Sequence, residues 1–315
     1  MGKPKSKQEI GDGRKIPIGE ARKLGKQLRI VKAKKLRQEK KDAKRERQKE
    51  REKLREQLGD KAPAKEQPRT IENTREYDET MVDPDDEEVR LDESYDEMAK
   101  YFARETTPKV VITMSPWAKL TTWKLCYELQ KCIPDSKVFA RKGIPFKRVV
   151  KQAIRQEYTD VIVVHEDRKL PNALVLCHLP HGPTAYFKIN NLKFTKDIKR
   201  HGRSSHHQPE VILNNFNTRL GHTIGRMLAC LFPHDPQFHG RRVVTFHNQR
   251  DYIFFRHHRY EFKKNGEKAA LQELGPRFTL RLKSLQKGTF DSKFEEYEWV
   301  LKRHEMETTR RRFFL

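Results

Sequence analysis

Residues 241–262 alternate basic and aromatic side chains, and this run reads RRVVTFHNQRDYIFFRHHRYEF. Arginine neutralises phosphates and stacks on bases, and an aromatic ring can carry an unpaired base, so the run predicts nucleic-acid binding. The alternative for the rings of Phe246, Phe254, Phe255 and Phe262 is that they fill a core. The candidate RNA ligands of this run are Arg241, Arg242, Arg250, Arg256 and Arg259.

A second candidate site lies on a predicted helix over Ile144–Tyr158. Its apolar residues recur at helical spacing, so one side of the helix is expected to pack against a core. Lys147, Lys151 and Arg155 are spaced i, i+4, i+8 and therefore share the opposite side. The remaining candidate RNA ligands are Arg148 on the same helix, Arg141 and Lys142 before it, and Lys283 and Lys287 near a later strand.

The sequence offers little support for catalysis or metal binding as alternatives to nucleic-acid binding. The chain has no Walker A sequence, no G-x-G-x-x-G, no G-x-S-x-G and no H-E-x-x-H. Three possible zinc ligands, Cys230, His234 and His239, fit no common zinc spacing. A ribonuclease could pair His206 with His207, or His257 with His258, but adjacent strand residues point to opposite faces. We therefore predict a protein that is not an enzyme and needs no metal, cofactor or small-molecule substrate.

The elements that would position these residues occur twice along the chain. Three anchors return in the same order at offsets of 100, 82 and 93 residues. They pair 111–120 with 211–220, 163–168 with 245–250, and 182–189 with 275–282. This repetition predicts a duplicated α/β unit, whose seam would suit a long polyanion. The offsets indicate that the second copy lacks the helix at Ile144–Tyr158 and carries an insertion around Lys263–Gln272.

The strand and helix patterns place the fold in the α/β class. A start of alternating strands and helices predicts a mostly parallel sheet, with hairpins closing it. We place the first half of the body at about 107–200 and the second half at about 207–290. A closing C-terminal helix is predicted at about 291–315.

The net charge of +24 is distributed unevenly. Residues 1–66 hold 24 Lys and Arg against 11 Asp and Glu, residues 67–100 hold 4 against 13, and residues 101–315 hold 40 against 20. A mean hydropathy of −0.95 is too polar for a chain that is globular throughout. The body is strongly basic in its own right, as expected of a nucleic-acid binder.

Two charged segments precede the body. Residues 1–66 form a basic arm, helical or disordered, because Lys26–Gln57 is rich in helix formers but poor in apolar residues. The arm is either a solvated helix without a target or an RNA-binding arm with nuclear import signals at Lys32–Lys35 and Lys40–Arg47. Residues 67–106 form an acidic linker. It is a solvated spacer, a contact for a basic partner, or a shield over the protein's own basic surface.

The cysteines and the hydropathy indicate the compartment. Cys126, Cys132, Cys177 and Cys230 form no C-x-x-C pair, which is typical of small buried residues in a reducing environment. No apolar run approaches the roughly 20 residues that cross a bilayer. We expect a soluble intracellular protein without a membrane partner.

Several separated motifs in the body resemble those of Brix-domain proteins. They are 225–262, LGPRFTL at 274–280, GTFD at 288–291 and EYEW at 296–299, and the resemblance extends from about Thr107 to Leu315. It implies a Brix fold of two similar α/β halves, each like the anticodon-binding domain of certain aminoacyl-tRNA synthetases. It also implies a non-enzymatic factor of the nucleus and nucleolus that binds precursor rRNA of the large (60S) ribosomal subunit. The implied partners are other pre-ribosomal assembly factors and ribosomal proteins.

We predict that the two-part body clamps a folded RNA junction, chiefly through phosphates. Two alternatives remain open at this point. The chain could be a protein-interaction adaptor within a pre-ribosomal particle, with little direct RNA contact. It could also be an RNA-processing enzyme, which would need a polar catalytic set that the sequence does not display.

Overall fold

The computed structural model describes residues 7–8, 16–58, 70, 72–83, 85–263, 266, 268–290, 296–302, 304, 306 and 311–315. The chain divides into two compact units, Met1–Arg69 and Thr70–Leu315. None of the helices in these described ranges combines the length and the apolar composition that a bilayer crossing requires.

The first unit is built on one long helix. A short antiparallel pair, β1 (Lys7–Gln8) and β2 (Ile16–Pro17), precedes α1 (Ile18–Leu58). The predicted helical stretch of the basic arm lies within α1. Its few apolar side chains that are described, such as Ile30 and Val31, are exposed, because they are too sparse to form a packing stripe.

The acidic segment opens the second unit and folds onto it. It forms α2 (Glu87–Tyr95) and α3 (Ala99–Phe102). Val89, Met98 and Tyr101 are buried, so the segment contributes to the core. The interpretation of 67–106 as a linker is therefore wrong for these two helices, because apolar side chains spaced between the acidic ones anchor them to the body.

The first half of the body alternates strands and helices and then closes with antiparallel strands. β3 pairs in parallel with its neighbours β4 and β5, and β5, β6 and β7 run antiparallel. The buried strand β3 reads VVITM, as expected of a strand covered on both faces. The elements are β3 (Val110–Met114), α4 (Leu120–Cys132), β4 (Ser136–Val138), α5 (Phe146–Arg155), β5 (Asp160–Asp167), β6 (Leu170–His178) and β7 (Thr184–Lys193).

Over the described residues, the second half repeats this order without counterparts of strand β4 and helix α5. Its elements are β8 (Glu210–Asn214), α6 (Arg219–Ala229), β9 (Arg242–Gln249), β10 (Tyr252–Lys263), β11 (Lys268–Glu273), β12 (Arg277–Gln286) and β13 (Tyr297–Val300). The chain passes from α6 to β9 without a counterpart of α5, which confirms the predicted loss. The extra strand β11, paired with β10, lies where the insertion was predicted.

The order of strands in the sheet confirms the duplication. The main path is β4-β3-β5-β6-β7-β12-β10-β9-β8, and β11 and β13 add to β10 and β12. Among the described strands, the edge strand β4 has no counterpart in the second half. Without it, β3-β5-β6-β7 of the first half matches β8-β9-β10-β12 of the second, each read from the edge of the sheet to its centre. The halves meet where β7 pairs antiparallel with β12, and there Lys188 lies opposite Arg281, its equivalent at the offset of 93. An approximate two-fold axis therefore passes through this pair.

The expectation of a mostly parallel sheet is wrong. β3 with β4, β3 with β5, and β8 with β9 pair in parallel, whereas the rest of the sheet is antiparallel. The reason is the tight hairpins that join β5 to β6 and β9 to β10, since a two-residue turn can only connect antiparallel strands.

The two faces of the sheet are covered differently. Helices α4 and α6 cover one face, where a continuous core includes Leu125, Phe187, Ile224 and Phe255. Helix α5 lies on the other face and covers only the first half. We call these the α4/α6 face and the α5 face. Over the second half, none of the helices described in Thr70–Leu315 packs on the α5 face.

The predicted closing helix at about 291–315 is wrong over the residues described there. Tyr297–Val300 forms strand β13, which pairs with the end of β12. The segment alternates acidic and aromatic residues at 296–299, a period of two that suits a sheet edge better than a helix. Phe313 and Leu315 are buried against the body.

Candidate nucleic-acid interface

The basic residues of α5 share its exposed side. Lys147, Lys151 and Arg155 are exposed, as is Arg148, whereas Val150 and Ala153 are buried in the core beneath the helix. The predicted packing of this amphipathic helix is confirmed, because apolar residues at helical spacing cover one side of the sheet. That these cations bind RNA stays a prediction.

Arg141 and Lys142 lie in the turn that leads into α5. Lys142 is exposed and has a φ of 43°, a left-handed conformation that redirects the chain. Arg141 is half-buried, and burial lowers the pKa of its guanidinium. Its Nε finds no hydrogen-bond partner within the described residues. A phosphate oxygen at this turn would satisfy that buried donor.

In the second half the α5 face is open, and its residues differ from those that α5 covers. The two hairpins turn at equivalent residues, 168–169 and 250–251, all of which have positive φ. In the first hairpin Val163 pairs with Val175, and at the equivalent positions of the second hairpin Thr245 pairs with Arg256. In the same registers Ala173 corresponds to Phe254. Apolar positions under α5 are thus occupied by a hydroxyl, a guanidinium and a ring where the helix is missing.

Cations and aromatic rings adjoin one another on this open sheet. The Cζ of Arg256 lies 5.8 Å from the ring centroid of Phe254, and the Cζ of Arg281 lies 5.1 Å from that of Tyr252. Lys188 is exposed and lies opposite Arg281 on the neighbouring strand. Like charges that face each other across two strands repel, so an anion bound between them would be stabilising. We call these five residues the open-sheet cluster.

Two carboxylates interact electrostatically with the arginines of the cluster, and both already have other hydrogen-bond partners. Glu273 Oε1 accepts a hydrogen bond from Arg277 Nε at 2.7 Å, and Asp251 Oδ1 accepts hydrogen bonds from the backbone N–H groups of Phe314 at 2.8 Å and Leu315 at 3.0 Å. Burial lowers the pKa of Arg256 from its ordinary value, which reflects the cost of holding a cation there without a carboxylate of its own. The local field of the open sheet is therefore positive.

The prediction that Arg242 binds RNA is wrong. Arg242 is only 3% exposed, and its guanidinium donates hydrogen bonds to other groups of the protein. It donates to the carbonyl oxygens of Ser205 and His207 at 2.5 Å, to that of Lys131 at 2.7 Å, and to His257 Nε2 at 3.2 Å. These partners come from the first half, the connecting segment and the second half, so Arg242 holds the two halves together.

The other arginines predicted in the same run are scattered. Arg241 and Arg250 are exposed at opposite ends of β9. Arg259 is half-buried and pairs in register with Arg242, which places it on the α4/α6 face. Of the five arginines predicted in this run, Arg256 is the one that joins the open-sheet cluster.

Two predicted lysines lie near the seam between the halves. Lys283 is half-buried on β12, and Lys287 is exposed with its Nζ 3.6 Å from Glu296 Oε2. Sequence reasoning missed Lys188 and Arg281, which are central to the cluster. The signal was present in the repeat, because both residues occupy the same position of the third anchor and alternate with buried apolar residues.

Two of the histidines considered for metal or ribonuclease chemistry, His234 and His257, have structural contacts. His234 stacks on Tyr101 with ring centroids 3.9 Å apart, and its Nε2 lies 2.6 Å from the Tyr101 carbonyl oxygen. His257 is buried with Nδ1 3.0 Å from the Gly275 carbonyl oxygen, and burial lowers its pKa to about 4. His258 points to the α5 face instead. Within the described residues, no cluster of three or more His, Cys, Asp or Glu could hold a metal ion.

The sequence of this chain matches one domain family and several known proteins. Residues 119–284 match the Brix domain. The chain is 71% identical to a Brix domain-containing protein of Caenorhabditis elegans, over 82% of this chain and 67% of that protein. It is 61% identical to ribosome production factor 1 of Xenopus laevis, over 82% of this chain and 75% of that protein. The crystal structure of a probable ribosomal biogenesis protein from Aeropyrum pernix K1 matches with a TM-score of 0.42 at 12% identity, covering 60% of this chain and 99% of that one. With a domain match from the start of α4 into β12, the chain belongs to the Brix-domain family.

Proposed function

We propose that this chain is a non-enzymatic ribosome biogenesis factor that binds precursor rRNA during assembly of the large ribosomal subunit. The observation that carries the RNA-binding part is the α5 face, where the basic side of α5 and the open-sheet cluster share one face of one sheet. The relatives named ribosome production factor 1 support the part in ribosome biogenesis.

Most of the affinity would come from phosphates. The exposed cations of α5 form a row along the helix, and Lys188 and Arg281 continue the positive surface towards the second half. Contacts of this kind hold the shape and register of the RNA without reading its sequence. Each neutralised phosphate releases counterions, so the affinity should fall steeply with salt.

The open-sheet cluster would take unpaired bases. Tyr252 and Phe254 are two residues apart on β10, which separates them by about 6.8 Å at the usual strand rise. That is about twice the 3.4 Å between stacked nucleotides of a duplex strand, so bases on the two rings cannot stack on each other. Each ring has an arginine beside it for the adjoining phosphate. The RNA held here is therefore single-stranded, as in other proteins that bind single strands with aromatic and basic side chains.

The proposed place of action is the nucleus and nucleolus, where precursor rRNA is made. The proposed partners are the other assembly factors and ribosomal proteins of the pre-ribosomal particle. The basic composition of α1, with its candidate import signals, supports this location.

The test is RNA affinity of the full chain, measured by fluorescence anisotropy at several salt concentrations. Reversing three charges on α5 (K147E, K151E and R155E together) should weaken binding of a precursor rRNA fragment at least tenfold. The matched control reverses three exposed lysines on the α4/α6 face (K119E, K124E and K131E), so the total charge changes equally. If the two triple variants lose affinity equally, the site is not on the α5 face.

The same measurements separate the alternatives. No measurable RNA affinity at physiological salt would favour a protein-interaction adaptor. Cleavage of the RNA by purified protein with divalent metal would favour a processing enzyme. Either result would overturn the proposal.

A further inference from the structure

Helix α4 turns an apolar side towards solvent. Leu120 is 70% exposed and Tyr127 is 51% exposed, and the half-buried ring of Trp123 lies between them, 5.8 Å from that of Tyr127. Their i, i+3, i+7 spacing makes one stripe along the helix, which we call the α4 stripe. Trp117, in the turn before α4, is 83% exposed. Apolar residues at this spacing ordinarily face a core, so a solvent-facing stripe marks an interaction surface.

The duplication identifies the equivalent surface in the second half. The strands β3 and β8 keep the offset of 100, but the helices that follow them begin at Leu120 and Arg219, so the offset in the helices is 99 and Leu120 corresponds to Arg219, not to Leu220. The buried residues Leu125 and Leu129 of α4 correspond in the same way to Ile224 and Leu228 of α6. The same offset relates the α4 stripe to three residues of α6, Arg219, His222 and Arg226.

In the second half this surface is covered by a helix of the chain itself. The acidic helix α2 and the residue after it pair with all three positions of α6. The pairs are Arg219 Nη2 with Glu88 Oε1 at 2.9 Å, His222 Nδ1 with Glu93 Oε1 at 2.9 Å, and Arg226 Nε with Asp96 Oδ2 at 2.8 Å. Basic residues on α6 are thus matched by an acidic helix that lies across them.

We propose that the α4 stripe binds a helix of a partner protein, in the position that α2 takes on α6. The occupant is a helix because the two-fold axis relates this surface to one that a helix covers. It is apolar along the contact because the stripe offers a leucine and two rings. It carries acidic residues at its sides because Lys119, Lys124 and Lys131 are exposed beside the stripe.

A second copy of this chain fits the surface poorly. A symmetric contact between two α4 helices would bring the same lysines together, in a protein with a net charge of +24. The partner is therefore a different, acidic protein segment. Because α4 and α5 lie on opposite faces of the sheet, the chain could hold this helix and RNA at the same time.

The experiment places a photo-crosslinking phenylalanine analogue at Tyr127 of the full chain, in the cells that make the protein. Mass spectrometry then identifies the crosslinked peptide. The expected product is one protein segment with apolar residues at helical spacing and Asp or Glu beside them. Its yield should fall at least tenfold with L120E, since a carboxylate in place of an apolar anchor is costly at an interface and would also repel the acidic partner. The same analogue at Phe238, which is 64% exposed in the turn after α6, is the matched control.

Four results would overturn the proposal: equal yields at the two positions, a crosslink to RNA, a crosslink to this chain, or a basic segment as the product. Leu120 is exposed, so L120E should leave the far-ultraviolet circular dichroism spectrum unchanged. Binding of RNA by L120E should equal that of the unaltered protein, which keeps this test separate from the test of RNA binding.

Discussion

The two halves of the body share their strands but differ in what lies over them. In the first half, α5 covers a row of apolar residues that includes Val163 and Val175. In the second half, where this helix is missing, Thr245 and Arg256 occupy the same positions. An uncovered row of valines would leave apolar surface in water, which costs a free energy of about 25 cal/mol per Å² exposed. The comparison teaches that loss of one helix goes together with gain of polar and cationic residues, so that a face packed under a helix in one half is a solvent-exposed, basic face in the other.

The largest effect on stability is expected when the arginine found at position 256 of the second half is introduced at the equivalent position, 175, of the first half. V175R would place a guanidinium beneath α5, next to Val150 and Ala153, with no carboxylate provided. An uncompensated buried charge costs about 3–5 kcal/mol. The free energy of unfolding from urea denaturation should fall by that amount, or the variant should fail to fold.

The reverse exchange serves as the control. R256V should change the free energy of unfolding by about 1 kcal/mol or less, because the side chain is half-exposed and its loss leaves no cavity. It should instead weaken RNA binding. A V175R variant as stable as the unaltered protein would show that the face under α5 is not a core.

The second prediction concerns the effect of pH on stability, for which two buried histidines, one in each half, contribute with opposite sign. Burial lowers the pKa of His257 to about 4, against 6.5 in the unfolded chain. Between these values the unfolded chain binds more protons, so acidification from pH 6.5 to 4 should cost about 3 kcal/mol of stability. His178 in the first half differs: although burial alone would lower its pKa, its bond to Asp160 raises it above the ordinary value. Its contribution is present below pH 6.5 and is lost as the pH rises through the folded-state value.

The measurement is the free energy of unfolding at several pH values for three proteins. H257N should remove much of the loss on acidification seen in the unaltered protein, whereas H178N should keep that loss. An unchanged pH profile for H257N would mean that His257 is not held neutral by the second half.

The smallest effect is expected at the open-sheet cluster itself. K188Q with R281Q should make the plot of log affinity against log salt less steep by about 1.4, at about 0.7 per phosphate of a single strand. F254L should weaken binding of single-stranded RNA about fivefold and leave the slope unchanged, because stacking releases no counterions. A slope that the double variant does not alter would place these two cations away from the RNA.

Local patterns in the sequence predicted much of the architecture. The anchors revealed the duplication, the change in their spacing revealed the missing helix and the position of an insertion, and the period of α5 revealed its buried side. That the insertion forms a strand, β11, was not predicted. Prediction failed where distant neighbours decide the outcome. Helices α2 and α3 were interpreted as part of a linker because acidic residues dominate the segment around them, although Val89, Met98 and Tyr101 are buried and hold both helices on the body.

The sequence by itself determined the order of the elements, their repetition and the excess of positive charge, because these follow from periodicity and composition along the chain. Only the tertiary structure decided which cations and which apolar residues meet solvent. Arg242 and Arg256 belong to one basic run, yet carbonyl groups of remote segments enclose the first while the absence of a covering helix exposes the second. Burial depends on what packs above a residue, and the spacing of neighbours in the chain does not specify that.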